Sequence, residues 1–186
     1  MRFSWLVGLL GPVLTLALVL TSAMISPWFS FWNNALSDLG HAVKSGVAAL
    51  FNFGLAIGGL MVLAYGASSS ITSRLLRASI VVVGAQMNLV GVFDEMYREI
   101  HFWVSTAFFL SLAFFLVVYA ISFRAVGPLV SLLVGVALWT VHFAYKVPPG
   151  VAIPELVSVL LTLPWYYALL ARVRRVANEG LKLVPP

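Results

Sequence analysis

The chain of 186 residues is 62% hydrophobic and only 9% charged, and it contains no cysteine. Because a soluble domain carries roughly 25% charged residues and has too little interior to bury so much apolar sequence, this composition excludes a water-soluble globule, a disordered chain and a disulfide-stapled secreted module. The formal net charge of +5 would suit a nucleic-acid-binding protein, but in a membrane protein it is better explained by topology, so we expect no nucleic-acid partner.

Apolar runs bounded by charged residues, Gly, Pro and Ser clusters predict six transmembrane helices, at about 20 apolar residues per span. The fold class we expect is an all-α polytopic membrane helix bundle, and the simplest domain count is a single integral membrane domain over 1–186. The predicted spans are 5–25, 46–67, 78–94, 101–122, 128–145 and 151–170, and a basic tail, 171–186, follows them.

The Lys and Arg residues predict how the bundle is oriented. With the N-terminus in the cytoplasm, eight of the 11 basic residues fall on the cytoplasmic side, and only Lys44, Arg98 and Lys146 fall outside. This positive-inside bias places both termini in the cytoplasm and the protein in the plasma membrane. The alternative is that span one is a signal peptide cleaved at 21–23, Thr-Ser-Ala, although its apolar stretch is longer than a usual hydrophobic region.

Carboxylates and imidazoles concentrate at the opposite, outer side of the predicted bundle. Ionisable groups near hydrocarbon are costly unless they are paired or solvated, so their convergence predicts a functional site. We expect an outward-facing polar pocket whose rim is formed by residues from separate outer segments, namely Ser37, Asp38, His41, Asp94, Glu95, His101, His142 and Glu155.

Side-chain amides lie below this rim on the predicted second and third spans. Asn52 and Asn88 are each about six residues from the outer end of their span, which is about 9 Å at 1.5 Å per residue, and Gln86 lies a little deeper. Buried amides in hydrocarbon need hydrogen-bond partners and therefore face the bundle interior. They form either the floor of the pocket or an interhelical hydrogen bond between Asn52 and Asn88.

The polar segment before span two is the most distinctive stretch of the chain. We expect Ser37 or Asp38 to cap a short helix that runs into Lys44. The alternative is a re-entrant or interfacial segment whose polar groups satisfy its own backbone.

This segment also carries a family resemblance. Residues 34–40, Asn-Ala-Leu-Ser-Asp-Leu-Gly, resemble the Ser-(Asp/Glu)-Leu-Gly signature of domain-of-unknown-function family 998, a group of small archaeal and bacterial membrane proteins. The Gly91-x-Phe93-Asp94 stretch and His101 are similar to later blocks of that family, in which many relatives carry Pro after the Phe. The resemblance implies the same architecture over nearly the whole chain and leaves the chemistry open, since the family has no established activity.

One function that fits this pattern is a metal-dependent hydrolase acting on a membrane lipid. A catalytic zinc is held by three His, Asp or Glu side chains and lowers the pKa of its bound water to about 7. If a metal is present, we expect Zn held by His101, His142 and Asp38. The layout is similar to that of seven-helix ceramidase-type hydrolases, which use Ser, Asp and three His, but this chain has one span fewer and no H-x-x-x-H pair.

The function we expect is binding of a membrane lipid or an amphiphilic small molecule in the outer polar pocket, where Lys44, Arg98 and Lys146 hold a lipid phosphate. A third function that fits the sequence is that of a structural or accessory subunit of a membrane assembly. Gly54-x-x-x-Gly58 in span two permits close helix contact, so this face is the candidate for a homo-oligomer.

Overall fold

The computed structural model describes residues 2–68, 71 and 73–179, and within them the chain forms six long helices. They are α1 (Arg2–Met24), α2 (Ala48–Ser68), α3 (Arg74–Val92), α4 (Glu99–Phe123), α5 (Gly127–Tyr145) and α6 (Ala152–Asn178). All six are long and apolar enough to span a membrane, which confirms the predicted all-α membrane bundle. Two short 3₁₀ helices, η1 (Leu36–Gly40) and η2 (Glu95–Tyr97), lie in the connections.

α3 and α6 differ from their predicted bounds by four residues or more, each for a local reason, whereas the bounds of the other helices differ by at most three. α3 begins four residues early because Ser73 caps it: its Oγ accepts a backbone N–H of the first turn at 3.3 Å. α6 continues to Asn178, beyond the predicted end at 170, because no Gly or Pro interrupts residues 165–179. On this extension the Arg174 guanidinium lies 4.0 Å from the centre of the Trp5 ring, a cation–π contact. The first half of the predicted basic tail is therefore helical.

Small residues let α1 and α2 pack backbone to backbone. A side-chain carbon at Gly58 would meet the Gly11 carbonyl oxygen at 2.8 Å, and it would also meet Thr15. The Thr15 hydroxyl donates across the interface to the Gly54 carbonyl at 2.9 Å. Close contacts of this kind hold helices together in lipid, where apolar side chains give no net driving force for association. The Gly54-x-x-x-Gly58 face is thus covered by α1 of the same chain and is not a free surface for a second copy.

The opposite side of α2 packs on α3 in the same way. A side-chain carbon at Gly84 would meet the Gly59 carbonyl oxygen at 2.7 Å. One at Gly91 would meet the Ala56 backbone nitrogen, also at 2.7 Å. α2 is therefore closely packed against both α1 and α3.

Successive helices alternate in direction, so alternate connections meet at the same end of the bundle. The connections at the end that we call the rim end are 25–47, 93–98 and 146–151. Backbone hydrogen bonds join the first of them to the start of α6, because the Gly150 N–H donates to the Trp32 carbonyl at 3.0 Å and the Ala152 N–H donates to the Asn34 carbonyl at 2.9 Å. These bonds fix the polar segment before α2 at the rim end of the bundle, next to the start of α6.

Candidate functional site

A cleft of about 1250 Å³ lies between α4, α5 and α6 and reaches η1 and η2 at the rim end. It exists because α5 packs mainly against α4 and α6, from which it is separated by bulky side chains such as Trp139. Phe102, Leu110 and Phe143 line the cleft, and each is at least 60% exposed. The cleft therefore also opens sideways, onto the surface that faces lipid.

The cleft is polar at one end and apolar along most of its length. Its walls within α4–α6 are mostly aliphatic and aromatic, with scattered hydroxyls at positions such as Ser105, Thr140 and Ser158. The polar side chains that line it at the rim end are Ser37, His41, Lys44, Glu95, Arg98, His101 and Glu155. Five of the eight predicted rim residues are among them.

Glu155 connects α6 to η1 at this polar end. It lies in the first turn of α6, is only 9% exposed, and accepts the Leu36 N–H on its Oε2 at 2.7 Å. Within the described part of the chain its second oxygen, Oε1, makes no hydrogen bond. Because the carboxyl lines the cleft, Oε1 is an acceptor available to a bound molecule.

Glu95 begins η2, outside the membrane-spanning helices, and faces η1. The Ser37 hydroxyl donates to its Oε1 at 3.4 Å, and the Asp38 carboxyl lies within hydrogen-bonding reach. Burial and then the negative charge of Asp38 raise the pKa of Glu95 above its usual value, and the nearby His101 and His41 only partly oppose this. The Glu95 carboxyl therefore keeps its proton to a higher pH than an exposed glutamate does.

Asp38 fixes η1 and does not line the cleft. Its Oδ2 accepts the Ala35 N–H at 3.0 Å and the side-chain amide of Asn34 at 2.9 Å. This is half of a capping box, in which an acid three residues into a helix reaches back to the cap amide. The short helix expected here is present, but it ends at Gly40, and its cap is Ala35 instead of Ser37 or Asp38.

Asp94 and His142 also serve the backbone and lie outside the lining of the cleft. Asp94 caps η2 by accepting the Met96 N–H at 2.8 Å. His142 is buried, and its Nδ1 donates to the Pro148 carbonyl oxygen at 2.9 Å. Asp94 thus stabilises its own connection, and His142 joins the end of α5 to the connection that follows it.

The expected zinc ligands do not come together. The His101 Nδ1 lies 2.7 Å from the Phe93 carbonyl oxygen, while His142 and Asp38 are engaged with their own connections. In the part of the chain that the structure describes, no three His, Asp or Glu side chains are placed to hold a metal ion. The predicted ligand set of His101, His142 and Asp38 is therefore not assembled in this structure.

A second, smaller cavity of about 120 Å³ lies in the bundle core beside the cleft. Its lining is mostly apolar and comes from α1–α4, η1 and α6. It shares Ser37, Ser105 and Glu155 with the lining of the cleft. The two spaces also share Phe109, Leu112 and Thr162, and we call the polar group of Ser37, Ser105 and Glu155 in their common wall the junction.

The predicted floor residues, Asn52, Gln86 and Asn88, line neither cavity. The Asn52 amide donates to the Gly40 carbonyl at 2.8 Å and so ties η1 to α2. The Asn88 amide donates to the Ala56 carbonyl at 2.9 Å and so ties α3 to α2. The two asparagines do not bond to each other either, so both expectations for them are corrected: each satisfies a backbone carbonyl.

Ser105 is a site residue that reasoning from the sequence missed. Its Oγ lies 3.2 Å from the Nε2 of His101, one turn earlier on α4. The available signal was the i, i+4 spacing of a histidine and a serine at the rim end of a span, since such residues are neighbours on a helix surface.

Comparison with known proteins identifies the family. The family model described as protein of unknown function (DUF998) matches residues 9–172. The chain belongs to the DUF998 family. The match begins in α1 and ends in α6, so every membrane-spanning helix lies at least partly within the DUF998 region, and the expected relationship to domain-of-unknown-function family 998 is confirmed. No curated protein and no solved structure matches the chain significantly. The DUF998 match and the helices together establish an integral membrane protein of an uncharacterised family.

Proposed function

We propose that this DUF998 protein binds a lipid or a related amphiphile in the cleft between α4, α5 and α6. The observation that carries the proposal is one continuous cleft of about 1250 Å³, which is apolar along most of its length, opens sideways to lipid and ends among polar side chains at its exposed mouth at the rim end. Mostly apolar walls with a few placed polar groups are typical of small-molecule sites. The tail of the ligand lies along α4 and α6, and its head group lies beside Ser37, Glu95 and Glu155.

The polar end favours a head group that both donates hydrogen bonds and carries an anion. Glu155 offers a free carboxyl oxygen, and Glu95 is the second acceptor. Lys44 and Arg98 line the exposed mouth of the cleft, where charge-assisted hydrogen bonds to a phosphate are strong. A zwitterionic or hydroxylated phospholipid head group satisfies both sets of side chains.

Filling the cleft tests this proposal. Gly135 on α5 lines the cleft, and a side-chain carbon there would approach only Leu161, at 4.0 Å. The side-chain carbon of Gly135→Phe therefore has room, and its ring is expected to enter the space that the tail would occupy. Ala137→Phe is the matched control, because Ala137 lies on the same helix, is exposed and does not line the cleft.

The measurement is photo-crosslinking of a phospholipid that carries a diazirine on its tail to the purified protein, followed by peptide mapping. We expect the wild type and Ala137→Phe to be labelled equally on α4 and α6. Gly135→Phe should lose labelling about tenfold, which corresponds to roughly 1.4 kcal/mol of binding free energy. Equal labelling of Gly135→Phe would contradict the proposal, provided that thermal unfolding shows both variants to be folded.

We further propose that the rim end faces the outside of the plasma membrane. The excess of arginine at the opposite end, where Arg74, Arg124 and Arg175 lie, supports this orientation. Because the chain has no cysteine, single Lys44→Cys and Arg175→Cys variants can be probed with a membrane-impermeant maleimide. Labelling of Lys44→Cys in intact cells, and of Arg175→Cys only after lysis, is expected, and the reverse pattern would overturn the orientation.

A further inference from the structure

The Ser105 hydroxyl has an unusual partner for a serine inside a membrane helix. Ser22, Thr140 and Ser158 each donate to the carbonyl oxygen four residues earlier, as Ser and Thr in helices commonly do. Ser105 makes no such bond, and its Oγ is instead 3.2 Å from the Nε2 of His101. The hydroxyl is therefore directed at an imidazole and not at the backbone.

His101 is held in the form that accepts this hydroxyl. Its Nδ1 lies 2.7 Å from the Phe93 carbonyl oxygen, and because a carbonyl oxygen can only accept, Nδ1 carries the proton. In a neutral imidazole the other nitrogen, Nε2, is then an acceptor, so the Ser105 O–H donates to it. A hydroxyl, a base and a third group that orients the base form the arrangement that activates a serine nucleophile. Here a backbone carbonyl orients the base.

Ser105 lies where the cleft changes from polar to apolar. It is about six residues into α4, which is about 9 Å along the helix axis from Glu99. Its side chain lines both the cleft and the smaller cavity. In a glycerolipid the carboxylic esters join the head group to the tails, so a lipid bound in the proposed way presents an ester at this depth.

We infer that Ser105 and His101 hydrolyse a carboxylic ester of the amphiphile bound in the cleft, an inference that rests on the proposed function. The Ser105 oxygen attacks the carbonyl carbon while its proton passes to the His101 Nε2. The bond from that carbon to the leaving alcohol oxygen then breaks, and His101 gives the proton to the departing alcohol. The acyl group remains on Ser105 as an ester.

Water completes the reaction. A water molecule entering by the mouth beside Lys44 and Arg98 gives a proton to His101 and attacks the acyl carbon. The bond from that carbon to the Ser105 oxygen breaks, the serine recovers its proton from His101, and the carboxylic acid leaves. One ester and one water thus become one alcohol and one acid, with the side chains restored.

Ser37 is the donor that the junction offers to the oxyanion formed in each attack. Its hydroxyl lines both cavities, and its bond to Glu95 is long, at 3.4 Å. Little is lost when the hydroxyl turns from that carboxyl to a developing negative charge, because hydrogen bonds weaken towards this length. Donors aimed at such a charge are often a large contribution to acyl-transfer rates.

The test uses the full chain in detergent, a fluorophosphonate with a long alkyl chain and a long-chain para-nitrophenyl ester. An ether-linked phospholipid with the diazirine tail, which has no ester to cleave, reports binding separately. The variants are Ser105→Ala and His101→Gln, and Ser111→Ala is the matched control. Ser111 lies on the same helix, donates to the Phe108 carbonyl at 2.6 Å and lines neither cavity.

We expect the fluorophosphonate to attach to Ser105 in the wild type and in Ser111→Ala. Ester hydrolysis should fall about 100-fold or more in Ser105→Ala and in His101→Gln, the usual range for loss of a nucleophile or a general base. Crosslinking of the ether lipid should be unchanged in Ser105→Ala, which also shows that this variant is folded.

The outcomes separate the two proposals. Ether-lipid crosslinking without any attachment to Ser105, or hydrolysis that survives Ser105→Ala, would overturn the esterase inference and leave lipid binding in place. Failure of the ether lipid to crosslink within the cleft of the wild type would overturn the binding proposal itself, and the esterase inference with it.

Discussion

The Glu155 carboxyl is expected to hold η1 in place through one hydrogen bond. Its Oε2 accepts the Leu36 N–H at 2.7 Å, and the side chain is only 9% exposed. Glu155→Leu removes the acceptor and leaves a partly buried N–H without a partner, which costs about 1–3 kcal/mol. Glu155→Gln retains an oxygen that can accept the same N–H, so its cost should stay below about 1 kcal/mol.

Thermal unfolding of the purified protein in detergent measures this difference. For a chain of this size, about 1 kcal/mol shifts Tm by roughly 3 °C, so Glu155→Leu should lower Tm by about 3–9 °C and Glu155→Gln by less than about 3 °C. Hydrogen exchange should speed up at the backbone amides of η1 in Glu155→Leu only. Equal loss of stability in the two variants, or no loss in Glu155→Leu, would refute the reasoning, because the acceptor oxygen would then not be what stabilises η1.

Two further experiments test the pH dependence of stability and the packing of α1 against α2. Burial and the Asp38 charge raise the pKa of Glu95, so the folded protein binds the Glu95 proton more tightly than the unfolded chain does. The contribution of this proton to the free energy of unfolding is therefore complete below the ordinary pKa of 4.5 and is lost as the pH rises above that value. Tm measured against pH should therefore fall above about 4.5 in the wild type, fall less in Glu95→Gln, and converge for the two proteins at lower pH. Gly58→Val should cost about 1–3 kcal/mol in thermal unfolding because the new side chain meets Thr15, whereas Gly46→Val, with nothing within 4 Å, should cost little.

Hydropathy was sufficient to predict the membrane architecture. A span in hydrocarbon must be apolar, about 20 residues long and internally hydrogen-bonded, so each helix can be recognised in the sequence as a long apolar run. The prediction ended α6 at residue 170, eight residues too early, because the basic residues that begin at Arg172 end the apolar run. Charge ends the apolar part of a helix and not the helix itself, and α6 continues to Asn178.

The side chains of the site were only partly predictable. Successive helices alternate in direction, so their connections meet at the rim end, and this brings five of the eight predicted rim residues to one cleft. Asp38 and Asp94 bond instead to backbone groups of their own connections, and His142 bonds to the backbone of the connection after α5. That choice depends on rotamers and loop geometry, which a pattern of residue types does not contain.

Depth along a helix also says nothing about direction around it. Asn52 donates to a carbonyl of η1 and Asn88 donates to a carbonyl of α2, and neither side chain lines a cavity. Ser105, which faces the cleft, was missed because most helical hydroxyls bond to their own backbone. The partner that distinguishes it, His101, became visible only through the orientation of both side chains.

The position of the cleft follows from where glycines lie at the contacts between helices. In lipid, helices approach closely only where glycine or another small residue lets their backbones meet. Glycines at the α1–α2 and α2–α3 contacts, such as Gly58 and Gly84, let these three helices pack closely. α4 and α6 contain no glycine, Gly127 at the start of α5 packs against Trp165 of α6, and a side-chain carbon at Gly135 would approach only Leu161, at 4.0 Å. Aromatic side chains such as Trp139 therefore space the second half apart, and the lipid-facing cleft is the consequence of that spacing.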